Sequence, residues 1–288
     1  MRAAQRQCLR AWPARADAAK EAAWCARMAP EFRRFDCSPP NTLREIYTSF
    51  LVDDATLATL VDVRPEVVSF HFGLPTQAQR DALHAAGIVL IATATSLPEA
   101  RMIEAAGLDA IVAQGFEAGG HRGVFDPDAH DGCLGTMALV RSLVDAVGLP
   151  VIAAGGIMDG AGIRAALSLG ACAAQLGTAF IDTDESLADA GYRARLHSEA
   201  AHHTVMTRAI SGRPARCLAN DFTRIGADVP DTAIPDYPIA YDAGKALAKA
   251  AQAAGQAGYG AQWAGQGAPL ARRMSTGALM DVLSAQLP

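Results

Sequence analysis

The chain has 288 residues, a net charge of −5, 51% apolar residues and 6% aromatics, a balance with no electrostatic case for a nucleic-acid or anionic-membrane partner. It is long enough to bury a sizeable core, and no apolar run approaches the roughly 18 residues of a membrane span. The cysteines (Cys8, Cys25, Cys37, Cys133, Cys172 and Cys217) show neither C-x-x-C nor Cys/His ligand spacing, so no metal site and no disulfide framework is expected, and the scattered thiols suit a cytoplasmic protein.

Residues 1–16 are arginine-rich and lack the apolar stretch of a secretory signal, so they read as an irregular segment with one weak strand-like run at 7–11. Helical patterns follow at 17–28, 42–47 and 54–63. From residue 67 the pattern becomes a βα repeat. Near-continuous apolar runs at 67–72 (VVSFHF), 88–93 (IVLIAT), 109–114 (DAIVAQ), 150–155 (PVIAAG) and 173–177 (AAQLG) read as parallel strands buried on both faces. Amphipathic helices at 76–86, 97–106, 136–147 and 160–169 lie between them, and Gly87, Gly107, Gly148 and Gly170 end them. The loop 121–134 is long enough to serve as a lid or binding loop. Beyond it come a helical stretch at 185–207, a connector marked by Pro214, Pro230, Pro235 and Pro238, and helices at 239–254 and 276–287. These five βα units fall short of the eight that close a barrel. The expected fold class is α/β, a (β/α)8 TIM-barrel type lacking its first two or three strands, with a helical C-terminal capping domain.

Three glycine-rich strand ends stand out: QGFEAGGH at 114–121, AAGGI at 153–157 and QLGT at 175–178. Without a Cβ the backbone N–H groups can approach a ligand closely, and a following helix N-terminus favours phosphate. Gly155, Gly156 and Gly177 follow the last two strands, where barrels commonly hold phosphate. The Thr178 hydroxyl can bond to such a group, and the Gln114 amide suits a polar ring edge. Tight βα turns are the plainer explanation of any single glycine. His121, between Gly120 and Arg122, is a candidate for proton transfer near neutral pH. His71 lies inside an apolar strand, either on a pocket floor or as a satisfied core histidine. Tyr237, Tyr241 and Lys245 recur at four-residue spacing, which would give two phenols and an ammonium for an anion, or else a surface helix with a snorkelling lysine. His84, His130, His197, His202 and His203 have no motif around them and read as surface residues.

The segments VVSFHFGLP (67–75), QGFEAGGHRG (114–123), PVIAAGGIMDG (150–160), QLGTAFI (175–181), RAISGRPAR (208–216), PDYPIAYDAGK (235–245) and WAGQGAPLAR (263–272), in that order, resemble the nitronate monooxygenases, class I in particular. The resemblance implies a TIM barrel holding FMN under a helical cap and oxidising alkyl nitronates, propionate 3-nitronate especially, with dioxygen. It implies FMN contacts at Gln114, Gly119, Gly120 and Gly156 and along Gln175, Leu176, Gly177 and Thr178, with Gly155 beside them. It makes His121 the catalytic base or acid and His71 an active-site residue. Tyr47, Tyr237, Tyr241 and Lys245 would bind substrate, with Tyr192 a further pocket tyrosine. Family members begin with a strand and a G-G-L-G segment that have no counterpart in this sequence, and the third barrel strand is degraded at 5–12. The resulting division is 1–16 irregular, 17–212 a partial FMN-binding barrel and 213–288 a helical substrate or cap region. Alternatives are a related FMN barrel reductase acting on NADH and quinone or on an enoyl thioester, and an inactive truncated paralogue. Expected partners are a small nitronate and dioxygen, with no nucleic acid or membrane, in a monomer or homodimer.

Overall fold

The computed structural model describes residues 9–11 and 13–287. Its strands are β1 (Leu9–Arg10), β2 (Val67–His71), β3 (Val89–Ala94), β4 (Ala110–Gln114), β5 (Gly120–His121), β6 (Val151–Ala154), β7 (Ala173–Gln175), β8 (Thr204–Thr207) and β9 (Ala215–Leu218). Six of them form a parallel sheet in the order β1-β2-β3-β4-β6-β7. The α-helices are α1 (Ala18–Arg33), α2 (Asp54–Val63), α3 (Gln77–Ala85), α4 (Leu97–Ala105), α5 (Thr136–Ala146), α6 (Gly160–Ser168), α7 (Ala190–Leu196), α8 (Asp221–Ile225), α9 (Ile239–Ala253) and α10 (Thr276–Ala285). Among the described residues no helix is long and apolar enough to cross a membrane.

The apolar runs become strands because both faces are covered: every residue of β4 is buried, as in parallel sheets sandwiched by helices. The helices start where side chains can cap them. Thr76 and Gln79 form a reciprocal capping box on α3, and Ser96 caps α4. The weak strand-like run is realised in part, with Leu9 and Arg10 paired in parallel to Phe70 and His71; residues 7 and 8 lie outside the described residues. Register decides what meets at the sheet's C-terminal edge. Gln114 pairs with Ala154, and Ala154 with Gln175, so all three glycine-rich segments leave the sheet side by side.

Two expectations fail. The stretch 185–207 is no long helix: α7 and a short 3-10 helix at Glu199–His202 are its helical parts, and Thr204–Thr207 becomes β8. That strand belongs to a small antiparallel sheet, β5-β9-β8, in which His121 pairs with Ala215. The short TVMT and ARCL segments lack the length and flanking periodicity that would reveal strands in sequence, and β9 is wholly buried. Residues 42–47 are not helical either. Leu43 is buried in the second core, and the Arg44 backbone N–H and guanidinium both donate to Asp242 of α9, at 3.1 and 3.2–3.3 Å.

The cores also cross the proposed division at 212/213. Trp24, Met28 and Phe32 of α1 pack with Ile239, Ala243 and Leu247 of α9. At the other end, Leu279 and Leu283 of α10 pack on Met158 beside the parallel sheet, and the Gly160 N–H donates to Gln286 Oε1 at 2.7 Å. The N-terminal α1 thus packs with α9, while the C-terminal α10 packs on the sheet side.

Candidate active site

Gln114, at the end of β4, spends its amide on the protein. Its Nε2 donates to the His121 carbonyl at 2.9 Å, and its Oε1 accepts from the Gly123 N–H at 2.7 Å. His71, ending β2, reaches the same His121 carbonyl with Nε2 at 3.2 Å. A carbonyl oxygen only accepts, so this His71 nitrogen carries the proton. Behind them Arg122, 2% exposed, donates to the Gln114 carbonyl at 2.5 Å and pairs with Asp131 at 2.7 Å. The expected lid is therefore pinned along its length. Asp128 farther along it pairs with Arg15 and Arg208, and those guanidiniums hold its carboxyl below the usual carboxylate range.

The His121 ring sits in an aromatic enclosure. Tyr237 lies 5.0 Å away, Trp263 5.1 Å and Phe72 5.6 Å, centroid to centroid. Its Nε2 is 2.9 Å from Ser211 Oγ. Phe72 adopts a left-handed backbone, φ 72°, a strained conformation for a bulky residue. The Arg213 guanidinium lies 4.2 Å from its ring and donates to the Phe125 carbonyl at 3.0 Å. Burial brings the Arg213 pKa down to about 10.

Two adjoining cavities meet at this point. The first, about 110 Å³, is lined by His71, Gln114, Gly119, Gly155, Gly156, Gln175, Gly177 and Thr178. No acidic side chain lines it, which suits an anionic group. The second, about 670 Å³, is lined by Tyr47, Phe72, His121, Tyr237 and Tyr241 and shares His71, Gln114, Gly119 and Gln175 with the first. The glycines divide by cause. A Cβ on Gly119 would lie 2.4 Å from the Gly265 nitrogen, and one on Gly155 2.8 Å from Thr136 Oγ1, so close packing accounts for both. A Cβ on Gly177 would meet nothing within 4 Å; packing does not require that glycine. Thr178 Oγ1 accepts from the Gly265 N–H at 3.0 Å, which draws the 265–267 loop over the cavity. The helix N-termini contribute less than their sequence suggests. Asp159 already caps α6, accepting from the Gly162 N–H, and the Glu117 carboxylate caps α5 through the Thr136 N–H at 2.8 Å.

The remaining candidates lie apart from the cavity walls. Leu176 packs between two apolar cores. Gly120, φ 76°, makes the turn into β5 opposite Arg216. Lys245 is exposed and hydrogen-bonds Tyr47 Oη, with its ammonium 4.8 Å from the Tyr47 ring and 5.3 Å from that of Tyr241. Tyr192 Oη donates to the Trp263 carbonyl, and burial raises its phenol well above the ordinary range. Of the histidines without a motif, His197 is half-exposed yet bonds the fully buried Asp182 at 2.5 Å. Burial would raise the Asp182 pKa, but hydrogen bonds from His197 and Arg193 hold it below the usual value. Ser211, Arg213, Phe72 and Trp263 were not singled out from the sequence. Ser211 and Arg213 lie inside the ISGRPAR segment, but spacing alone says nothing of their partners.

The nitronate monooxygenase family profile matches residues 15–286. A nitronate monooxygenase from Paraburkholderia phytofirmans is 58% identical over 275 residues, covering 96% of this chain and 75% of that protein. Another, from Pseudomonas aeruginosa, is 51% identical over 277 residues, covering 96% and 78%. Among solved structures, a nitroalkane oxidase from Streptomyces ansochromogenes matches with a TM-score of 0.87 and 39% identity, over 96% of this chain and 79% of that one. FabK from Thermotoga maritima matches with a TM-score of 0.67 and 25% identity, over 97% and 92%. A profile match along nearly the whole chain, with relatives above half identity, makes this α/β oxidoreductase a member of the nitronate monooxygenase family.

Proposed function

We propose that the chain binds FMN at the C-terminal ends of β4, β6 and β7 and oxidises alkyl nitronates, propionate 3-nitronate among them, with dioxygen. One observation carries the reading: the Gln114–Ala154–Gln175 register sets an acid-free, glycine-lined cavity beside a histidine enclosed by tyrosines. The donor set fits the cofactor. Backbone N–H groups at Gly156 and Gly177 and the Thr178 hydroxyl suit the phosphate, and Gln175 a polar ring edge. When bound, FMN supplies the electron transfer that links nitronate oxidation to dioxygen. Tyr47, Tyr237 and Tyr241 offer phenol donors to the anionic substrate, and Lys245 adds positive charge behind Tyr47 and Tyr241. The enclosing Phe72 and Trp263 rings exclude water. His121 takes the α-proton when the substrate is a neutral nitroalkane; a preformed nitronate does not require that step.

The test is the visible spectrum of the purified chain mixed with FMN, followed by oxygen uptake with propionate 3-nitronate. Bound flavin with nitronate-dependent uptake is expected. A protein that takes up no FMN would sink the reading. NADH consumption without nitronate would instead favour the related FMN barrel reductase.

A further inference from the structure

Ser211 is fully buried, 0% exposed, and its hydroxyl has two contacts. The His121 Nε2 lies at 2.9 Å and the Arg213 carbonyl oxygen at 3.3 Å. A hydroxyl has one proton to give, and a carbonyl can only accept. Both contacts are hydrogen bonds in one arrangement alone: Ser211 donates to Arg213, and His121 donates to Ser211 through a protonated Nε2. We propose that Ser211 is a positioning residue that holds neutral His121 in its Nε2–H tautomer, leaving the lone pair on Nδ1.

The backbone is shaped for this. Gly212 has φ 94°, and a Cβ there would lie 2.4 Å from the Pro235 carbonyl oxygen, so only glycine fits the left-handed turn. That turn is closed by the Ser211 and Gly212 N–H groups donating to the Arg208 carbonyl, at 3.2 and 2.7 Å. It folds the Arg213 carbonyl back toward the Ser211 hydroxyl and wedges the turn against the chain entering Tyr237. His121 is then held at both ends, its carbonyl by Gln114 and His71 and its ring by Ser211. A base oriented by a third group is the general logic of catalytic constellations. Tyr237 and Tyr241 face the imidazole, His71 reaches the His121 carbonyl, and the Arg213 cation lies behind Phe72.

The catalytic meaning of the tautomer rests on the proposed proton transfer, but the tautomer itself is a property of the folded chain. Two-bond 1H–15N correlation spectra of the full chain labelled with 15N-histidine read it directly, with the His121 signal identified by its loss in His121→Gln. The expected wild-type pattern is Nε2–H. Ser211→Ala should give mixed tautomers, shift the pH profile of kcat/KM for a neutral nitroalkane and lower that kcat/KM roughly tenfold. FMN binding should hold, and turnover of a preformed nitronate should fall less than that of the neutral nitroalkane. An Nδ1–H pattern in the wild type, or an unaltered Nε2–H pattern in Ser211→Ala, overturns the inference. The wild-type spectrum decides if the variant fails to fold. A chain with the Nε2–H pattern but no nitronate oxidation leaves the tautomer assignment standing and removes the functional reading.

Discussion

At the scale of single residues, lining a cavity and holding the protein together are separable roles. Gln114 and His71 line both cavities, yet their hydrogen bonds converge on the His121 carbonyl. Gly119 and Gly177 differ in the same way, and substitution should divide them. Gly119→Ala forces a Cβ into the Gly265 backbone and should cost about 1–3 kcal/mol of stability, the usual range for overpacking. Gly177→Ala meets open space and should leave stability within about 0.5 kcal/mol. Its added methyl should nevertheless weaken FMN binding roughly tenfold, the worth of about one hydrogen bond. Denaturant titration and flavin-fluorescence titration read the two effects. His121→Ala should lower kcat/KM for neutral nitroalkanes by about 10²- to 10⁴-fold, the range of general base catalysis, with a much smaller loss on nitronates in the same oxygen-uptake assay.

At the scale of elements, the strap at residues 42–48 shows how a local pattern loses to a tertiary contact. Its sequence permits a helix, but the Arg44 backbone N–H and guanidinium both find Asp242, and Leu43 finds a core. The extended strap brings Tyr47 to Tyr241 and Lys245, with ring centroids 6.3 Å apart for the two tyrosines. Asp242→Ala should release the strap and raise KM for an anionic nitronate roughly threefold to tenfold at unchanged kcat, the equivalent of one lost hydrogen bond. New limited-proteolysis cleavage within 42–48 would confirm the release; an unchanged KM would refute the positioning role. The parallel strands were legible because burial on both faces writes itself as apolar runs. β5, β8 and β9 were not, because two- and four-residue strands carry too little pattern to compete with helix-like spacing.

At the scale of the whole molecule, ion-paired carboxylates, one buried and one exposed, set the acid limit. Asp182 is 0% exposed and is held low by His197 and Arg193 against the opposing effect of burial. Asp128 is held low by Arg15 and Arg208. A carboxyl whose folded pKa is depressed adds stability above its unfolded value, about pH 4, and loses it as the pH falls through the folded value. Tm should therefore drop steeply below about pH 4. The acid slope should be shallower in Asp182→Asn, measured by thermal unfolding between pH 3 and 6; an identical slope would remove Asp182 from the account.

The sequence by itself determined the βα order, the glycine-rich strand ends and the motif set that marks the family. Those properties follow from local periodicity and from residue types that few other backbones accept. Tertiary structure alone decided which of the singled-out residues meet. Register aligned Gln114 with Ala154 and Gln175, the small sheet brought His121 against Ser211, and the cap joined α1 to α9 across more than half of the chain. Such contacts depend on strand pairing and packing between segments far apart in sequence, which a one-dimensional pattern does not encode. The buried polar atoms of Gln114 and Ser211 then had to find partners within the fold.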